Sequence, residues 1–107
     1  MKPPVVSFIV PVRNDAVRLD RCLRSIRANQ GNGPAVEIIV VDNGSTDRWA
    51  ELLSEHLPYV RVIHNSENNY ARALNLGIQA SSGSYVAFVN DDTVLEPDWL
   101  RLLIGYL

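Results

Sequence analysis

Two adjacent carboxylates, Asp91 and Asp92, follow the apolar run Tyr85-Val86-Ala87-Phe88-Val89, with only Asn90 between. Carboxylates this close repel each other and resist leaving water. The end of a buried strand is therefore a costly place for them unless a cation arrives. Their hard oxygen atoms suit Mg²⁺ or Mn²⁺ shared with phosphate groups, and a cation there removes the repulsion and keeps both acids ionised. A metal on a diphosphate also stabilises a phosphate leaving group as a Lewis acid. Two more polar clusters end apolar runs in the same way. Pro11-Val12-Arg13-Asn14-Asp15 follows the first run, and Asp42-Asn43-Gly44-Ser45-Thr46-Asp47 follows the second. Asp42 can accept a hydrogen bond from a base or a ribose.

Each cluster also has a plainer reading. Asn14, Asp15 and Ser45 are good helix caps, and Asp42-Asn43-Gly44-Ser45 is ordinary turn chemistry. The functional reading gains weight because the three clusters occupy equivalent strand ends. In an open α/β sheet, ligands bind outside the carboxyl ends of the strands, where strand order reverses.

The elements that must deliver these residues are legible. Val5 to Val10, Glu37 to Val41, Val60 to Ile63 and Tyr85 to Val89 are β-branched or aromatic and nearly continuous in apolarity. Such runs suit parallel strands covered on both faces. Leu19, Cys22, Leu23 and Ile26 form a helical stripe, with Arg18, Arg21, Arg24 and Arg27 elsewhere around that helix. Trp49, Leu52, Leu53 and Leu57 form a second stripe, capped by Ser45, with Asp47 in its first turn. Ala71, Leu74 and Ile78 form a third, followed by Gly83. A fourth helix opens with Pro97 and carries Trp99, Leu100, Leu103 and Leu107. The order β-α-β-α-β-α-β-α predicts an α/β, Rossmann-like open parallel sheet with right-handed crossovers and helices on both faces. If the chain winds outward through three strands and then returns, the order is 3-2-1-4. Arg13, Asp42, Asp91 and Asp92 would then face one crevice.

Composition narrows the options. The chain has 107 residues, 47% hydrophobic and 21% charged, which fits one domain spanning 1–107. A net charge of -2, with Lys2 the only lysine, gives no basic field for nucleic acid. One cysteine, Cys22, cannot make an internal disulfide and reads as core. No apolar segment is long enough to span a bilayer, so the expectation is a cytoplasmic, soluble domain, with membrane association of a longer protein left open. The final Leu102-Leu103-Ile104-Gly105-Tyr106-Leu107 lies inside a helical pattern without a stop signal, which suggests a fragment. His56 and His64 lack metal-ligand spacing, and His56 reads as helix surface. No G-x-G-x-x-G follows the first strand, and no P-loop motif is present. A phosphoacceptor receiver domain would want its acid pair after the first strand and a lysine near the last.

At these residues the chain resembles family 2 glycosyltransferases with the GT-A fold, over essentially its whole length. Residues 6–15, "VSFIVPVRND", resemble the opening strand and donor-binding turn. "EIIVVDNGSTD" resembles the V-D-[DN]-[GS]-S-x-D signature. "NNYARALNLGIQASSGSYVAFVNDD" resembles the stretch from A-x-N-x-G into the D-x-D motif. The resemblance implies the nucleotide-binding half of the fold and a UDP- or dTDP-sugar donor. Pro11, Arg13 and Asp15 would border the nucleotide, and Asp42 would hold the base. Asp91 would face the ribose or diphosphate, and Asp92 would bind Mg²⁺ or Mn²⁺ with help from the Asn90 carbonyl. Asn75 and Gly77 would shape the helix beside the donor. The acceptor, a glycan or lipid-linked hydroxyl, and the catalytic base would come from a later half, so no catalytic residue is assigned. Self-association, such as a homodimer, would cover apolar surface left by that half.

Two departures stand out. Asn90 replaces the first acid of the D-x-D and brings a carbonyl without charge. Asn68-Asn69 stand where many relatives have glycine; Asn tolerates a left-handed backbone better than other non-glycine residues. The competing functions are a sugar-nucleotide nucleotidyltransferase, which wants a glycine-rich basic loop that Pro11 to Val17 does not supply, and a non-catalytic nucleotide-binding or interaction module.

Overall fold

The computed structural model describes residues 4–30, 35–46, 56, 59–66 and 68–105. In chain order they form β1 (Val6–Val12), α1 (Ala16–Gln30), β2 (Val36–Asn43), β3 (Val60–Asn65), α2 (Tyr70–Ala80), β4 (Tyr85–Phe88) and α3 (Trp99–Gly105). The predicted helix with the Trp49, Leu52, Leu53 and Leu57 stripe, and Asp47 in its first turn, lies outside the described residues.

The four strands make one sheet in the order β3-β2-β1-β4, and every pair is parallel. The expected 3-2-1-4 winding is therefore present. Alternation along β1 sends its side chains to two cores. Val6, Phe8, Val10 and Val12 pack with Leu19, Cys22, Leu23 and Ile26 of α1 and Leu100 of α3. Ile9 packs on the other face with Ile39, Val41 and Ala73 of α2. The Phe8 and Trp99 rings meet at 5.9 Å between centroids. Helices thus cover both faces of β1 and most of β2, as expected of nearly continuous apolar runs, whereas Tyr85, Val86 and Phe88 of the edge strand β4 stay exposed among the described residues, against the expectation that all four runs are covered.

β1 runs two residues further than its apolar stretch predicts and includes Pro11. A central strand tolerates proline only where its missing N–H has no ladder partner. The Val89 N–H donates to the Ile9 carbonyl, so Ile9 and, two residues on, Pro11 present their backbone toward β4. The β1–β4 register ends at Ile9 and Phe88. Pro11 therefore sits just past the last β4 bond, at the point where β1 and β4 separate.

Three expectations about helices change. The buried face of α2 is Ala73 and Gly77, while Ile78 is exposed and Ala71 lies outside. Small residues win because α2 lies so close to the sheet that a Cβ on Gly77 would stand 2.4 Å from Ile9 Cγ2. α3 starts at Trp99, two residues after Pro97, and is capped from another element: the Leu100 N–H donates to Asn29 Oδ1 of α1. His56 is fully buried rather than on a surface, between Asp20 Oδ1 at 2.7 Å and Arg27 Nη1 at 3.2 Å. A guanidinium only donates, so His56 Nδ1 accepts from Arg27 and Nε2–H donates to Asp20.

Candidate functional site

The β1–α1 turn is held in an unusual backbone. Asn14 and Asp15 have φ of 60° and 61°, a region that L residues other than glycine seldom enter. Such strain persists where neighbouring contacts enforce it, and it clusters at functional sites. Here the enforcement is visible. The Asn14 N–H donates to Ser45 Oγ at 2.8 Å, and Asn14 Oδ1 accepts from the Thr46 N–H at 2.8 Å. Asp15 caps α1 by accepting from the Arg18 N–H at 3.2 Å. So Asp15 is the cap, and Asn14 with Ser45 stitches the β1 loop to the β2 loop.

The end of β4 folds back as a tight turn. The Thr93 N–H donates to the Asn90 carbonyl at 3.0 Å, which puts Asp91 and Asp92 at its two corners. Tyr70, the first residue of α2, donates its hydroxyl to Asn90 Oδ1 at 3.2 Å. On α1 the buried Cys22 reaches the Asn90 carbonyl at 3.6 Å, and burial, followed by the charges of Asp91 and Asp92, pushes its thiol up to about 12. That thiol is inert core, as its place on the apolar stripe suggested.

Between these turns lies a cavity of about 250 Å³ lined by Pro11, Val12, Arg13, Arg18, Asn43, Asn68, Tyr70, Asn90 and Asp91. It opens where β1 and β4 diverge, at the predicted switch point. Pro11, Arg13, Asn90 and Asp91 are thus brought together. Burial pushes the Asp91 carboxyl above its usual value; Arg18 pulls it back in part, while Asp92 and Asp15 push it further up. Asp92 is exposed beside the cavity, and Asp15 reaches it through Arg18, whose Nε lies 2.8 Å from Asp15 Oδ2. Asp42 does not line the cavity; it is buried at the end of β2, with Oδ1 accepting from the Ser45 N–H at 3.0 Å and Oδ2 facing His64 Nδ1 at 3.2 Å. Its neighbour Asn43 is the residue of that strand end which lines the cavity. Asn75 is not part of this group. It lines an open groove of about 530 Å³ along the outer face of α2. That groove is the larger hollow, but a single helix and its cap supply all of its walls.

The asparagines form a frame. Asn43 Oδ1 accepts from Asn65 Nδ2 at 2.8 Å and from the Asn69 N–H at 3.0 Å, while Asn43 Nδ2 donates to Asn68 Oδ1 at 3.2 Å. Asn69 caps α2 through the Arg72 N–H at 3.0 Å. Its φ of −132° is extended, so its value here is a cap rather than a left-handed turn. Sequence reading missed Arg18, Asn43, Asn68 and Tyr70 as cavity residues. A signal existed for Arg18, which stands one helical turn after the cap Asp15.

The sequence profile of Glycosyl transferase family 2 matches residues 7–107. The chain belongs to glycosyl transferase family 2. It is 32% identical over 102 residues to the uncharacterized glycosyltransferase YibD of Escherichia coli strain K12, which covers 92% of this chain and 29% of that protein. It is also 32% identical over 103 residues to glycosyltransferase AglE of Haloferax volcanii, covering 92% of this chain and 34% of that protein. The crystal structure of S. aureus TarS 1-349 superposes with a TM-score of 0.83 at 21% identity, over 95% of this chain and 32% of that one. The sheet order and this likeness make the fold GT-A. The chain spans about 30% of the length of these two curated relatives.

Among the described residues no three His, Cys, Asp or Glu side chains gather into a metal cage, and no helix is long and apolar enough to cross a membrane. The donor set at the β4 turn is two carboxylates and one amide oxygen. A small hard cation that takes most of its ligands from phosphate and water needs only one or two protein carboxylates. The residues present fit Mg²⁺ or Mn²⁺ held in that way.

Proposed function

We propose that the cavity between the ends of β1 and β4 binds the diphosphate of a UDP- or dTDP-sugar donor together with Mg²⁺ or Mn²⁺. The chain then acts as the donor-binding half of a glycosyltransferase that moves sugar to the hydroxyl of a glycan or lipid-linked acceptor. The observation that carries this reading is the convergence of Arg13, Asn90 and Asp91 on one cavity at the switch point.

Asp92, exposed at the turn corner, holds the cation, and the Asn90 amide oxygen can add a neutral ligand once it leaves Tyr70. When bound, the cation offsets charge on the diphosphate leaving group. Arg13 is exposed at the cavity wall and can place its guanidinium against a phosphate with parallel hydrogen bonds. Pro11 supplies a flat apolar wall. Asp42, fixed by Ser45 and His64, keeps lone pairs for a pyrimidine N–H. Asn90 is also what favours a second reading, a nucleotide-binding module without transfer, because its oxygen is already engaged by Tyr70.

Thermal unfolding with UDP, dTDP and GDP, each with Mn²⁺ or EDTA, tests the proposal. A nucleotide at a hundred times its Kd stabilises by about 2.7 kcal/mol, which at roughly 4–8 °C per kcal/mol raises Tm by about 10–20 °C. Mn²⁺-dependent stabilisation by UDP or dTDP that disappears in Asp92→Ala is the expected result. No shift with any nucleotide, or an equal shift in EDTA and in Asp92→Ala, refutes it.

A further inference from the structure

Arg18 is the charged residue of the cavity lining that neither the sequence motifs nor the proposed donor contacts account for. It stands on the first turn of α1, and its guanidinium reaches two carboxylates from separate elements. Nε lies 2.8 Å from Asp15 Oδ2, and Nη2 lies 3.9 Å from Asp91 Oδ2. Asp15 also accepts from the Arg18 backbone N–H, so one carboxylate fixes both ends of this residue. The turn that aims Asp15 is itself strained and stitched to the β2 loop through Asn14. The Asp91 side chain is only 17% exposed. A carboxylate so enclosed, beside Asp92, needs a positive neighbour while no divalent ion is present.

We propose that Arg18 is the resident counter-ion of the β4 turn: it holds Asp91 when no divalent cation is bound and competes with that cation for it. The proposal rests on the metal reading above and goes beyond it by naming a residue that opposes metal binding. A cation held by Asp92 that also draws on Asp91 displaces the Arg18 contact, and the charge of Arg18 repels the incoming ion. It keeps Asp15 in either state, so it acts as a positioning residue and stays on α1 throughout. This also separates the roles of the two cavity arginines. Arg18 is engaged with acids, whereas Arg13 is left to meet phosphate.

The test is Mn²⁺ binding without nucleotide, read as free Mn²⁺ by electron paramagnetic resonance. Removing one partially exposed charge contact of this kind should tighten Mn²⁺ binding in Arg18→Gln by about two- to fivefold. Arg18→Lys, which keeps the charge, should stay close to the parent, and Asp92→Ala should abolish binding in all backgrounds. Matching circular-dichroism melts establish that the variants fold. Mn²⁺ binding in Arg18→Gln that is unchanged or weaker overturns the proposal. So does an Arg18→Gln variant that loses UDP affinity in EDTA while its Mn²⁺ affinity stays put, because Arg18 would then be a phosphate ligand. If Mn²⁺ binds neither parent nor variant, the counter-ion role falls together with the metal site. Stabilisation of the parent by UDP in EDTA then shows whether the nucleotide site stands without it.

Discussion

Gly77→Ala puts the packing argument to a quantitative test. A methyl on Gly77 would stand 2.4 Å from Ile9 Cγ2, 3.1 Å from Cδ1 and 3.2 Å from Cγ1. Ile9 is fully buried near the middle of β1, flanked by β2 and β4, so it has nowhere to swing. Inserting a methyl into a packed core costs about 1–3 kcal/mol. Replacing a mid-helix glycine by alanine returns about 1 kcal/mol of helix propensity. The contact with Ile9 Cγ2 is so short that the cost belongs at or above the top of its range. The net loss should therefore be about 2 kcal/mol, and Tm should fall by roughly 8–16 °C. Urea denaturation of a double-mutant cycle with Ile9→Ala isolates the cause. Ile9→Ala alone should cost about 2–5 kcal/mol. In the double variant the new methyl enters space that Ile9 has vacated, so the pair should be more stable than the sum by about 1–3 kcal/mol. A Gly77→Ala protein as stable as the parent, or a cycle additive within about 0.5 kcal/mol, would show that α2 does not rest on Ile9 as described.

Two further outcomes follow from other parts of the fold. Burial raises the Glu37 carboxyl, but the Ser82 N–H, the Ser7 and Ser82 hydroxyls and Arg61 outweigh it, so its pKa lies below the ordinary 4.5. A depressed carboxylate stabilises the fold above its unfolded pKa and loses that contribution as pH falls through the folded one; Glu37→Gln should therefore cost about 1–3 kcal/mol at neutral pH and much less in acid, measured by urea titrations at both, and an acid-independent cost would refute the assignment. The Tyr85 and Val89 N–H groups point to β1, which leaves the backbone of Val86 and Phe88, residues 39% and 51% exposed, on an edge with no partner strand among the described residues; such an edge invites pairing, so sedimentation velocity should find self-association that Phe88→Lys abolishes, and a monomeric parent across a dilution series would count against it.

The strands and their order were legible because each is a nearly continuous run of β-branched or aromatic residues, the composition that suits a parallel sheet. The face of α2 was not legible. Periodicity weights large residues, so Leu74 and Ile78 outranked Ala73 and Gly77, whereas the close approach to Ile9 selects for the smallest side chains. His56 misled for a related reason. Its polarity suggests a surface, and only the fold reveals that Asp20 and Arg27 of one helix meet both of its ring nitrogens. The cavity was half legible: Pro11, Arg13 and Asp91 stand in recognisable motifs, while Asn68, Tyr70 and Arg18 enter it through α2 and α1, which periodicity places only approximately.

The division of labour between amides and acids explains why the site can hold charge at all. Asparagine carries both a donor and an acceptor, so Asn14, Asn43, Asn65, Asn68 and Asn69 can bond one another and the backbone without adding net charge. They fix the β1 and β2 loops and the start of α2 around the cavity. The scaffold therefore places no demand on Asp91 or Asp92, whose turn is closed by the Asn90 carbonyl instead. Carboxylates in place of these amides would have added negative charge beside Asp91 and Asp92. With neutral amides as the frame, the exchange of partners proposed for Arg18 and Asp91 would leave the walls of the cavity in place.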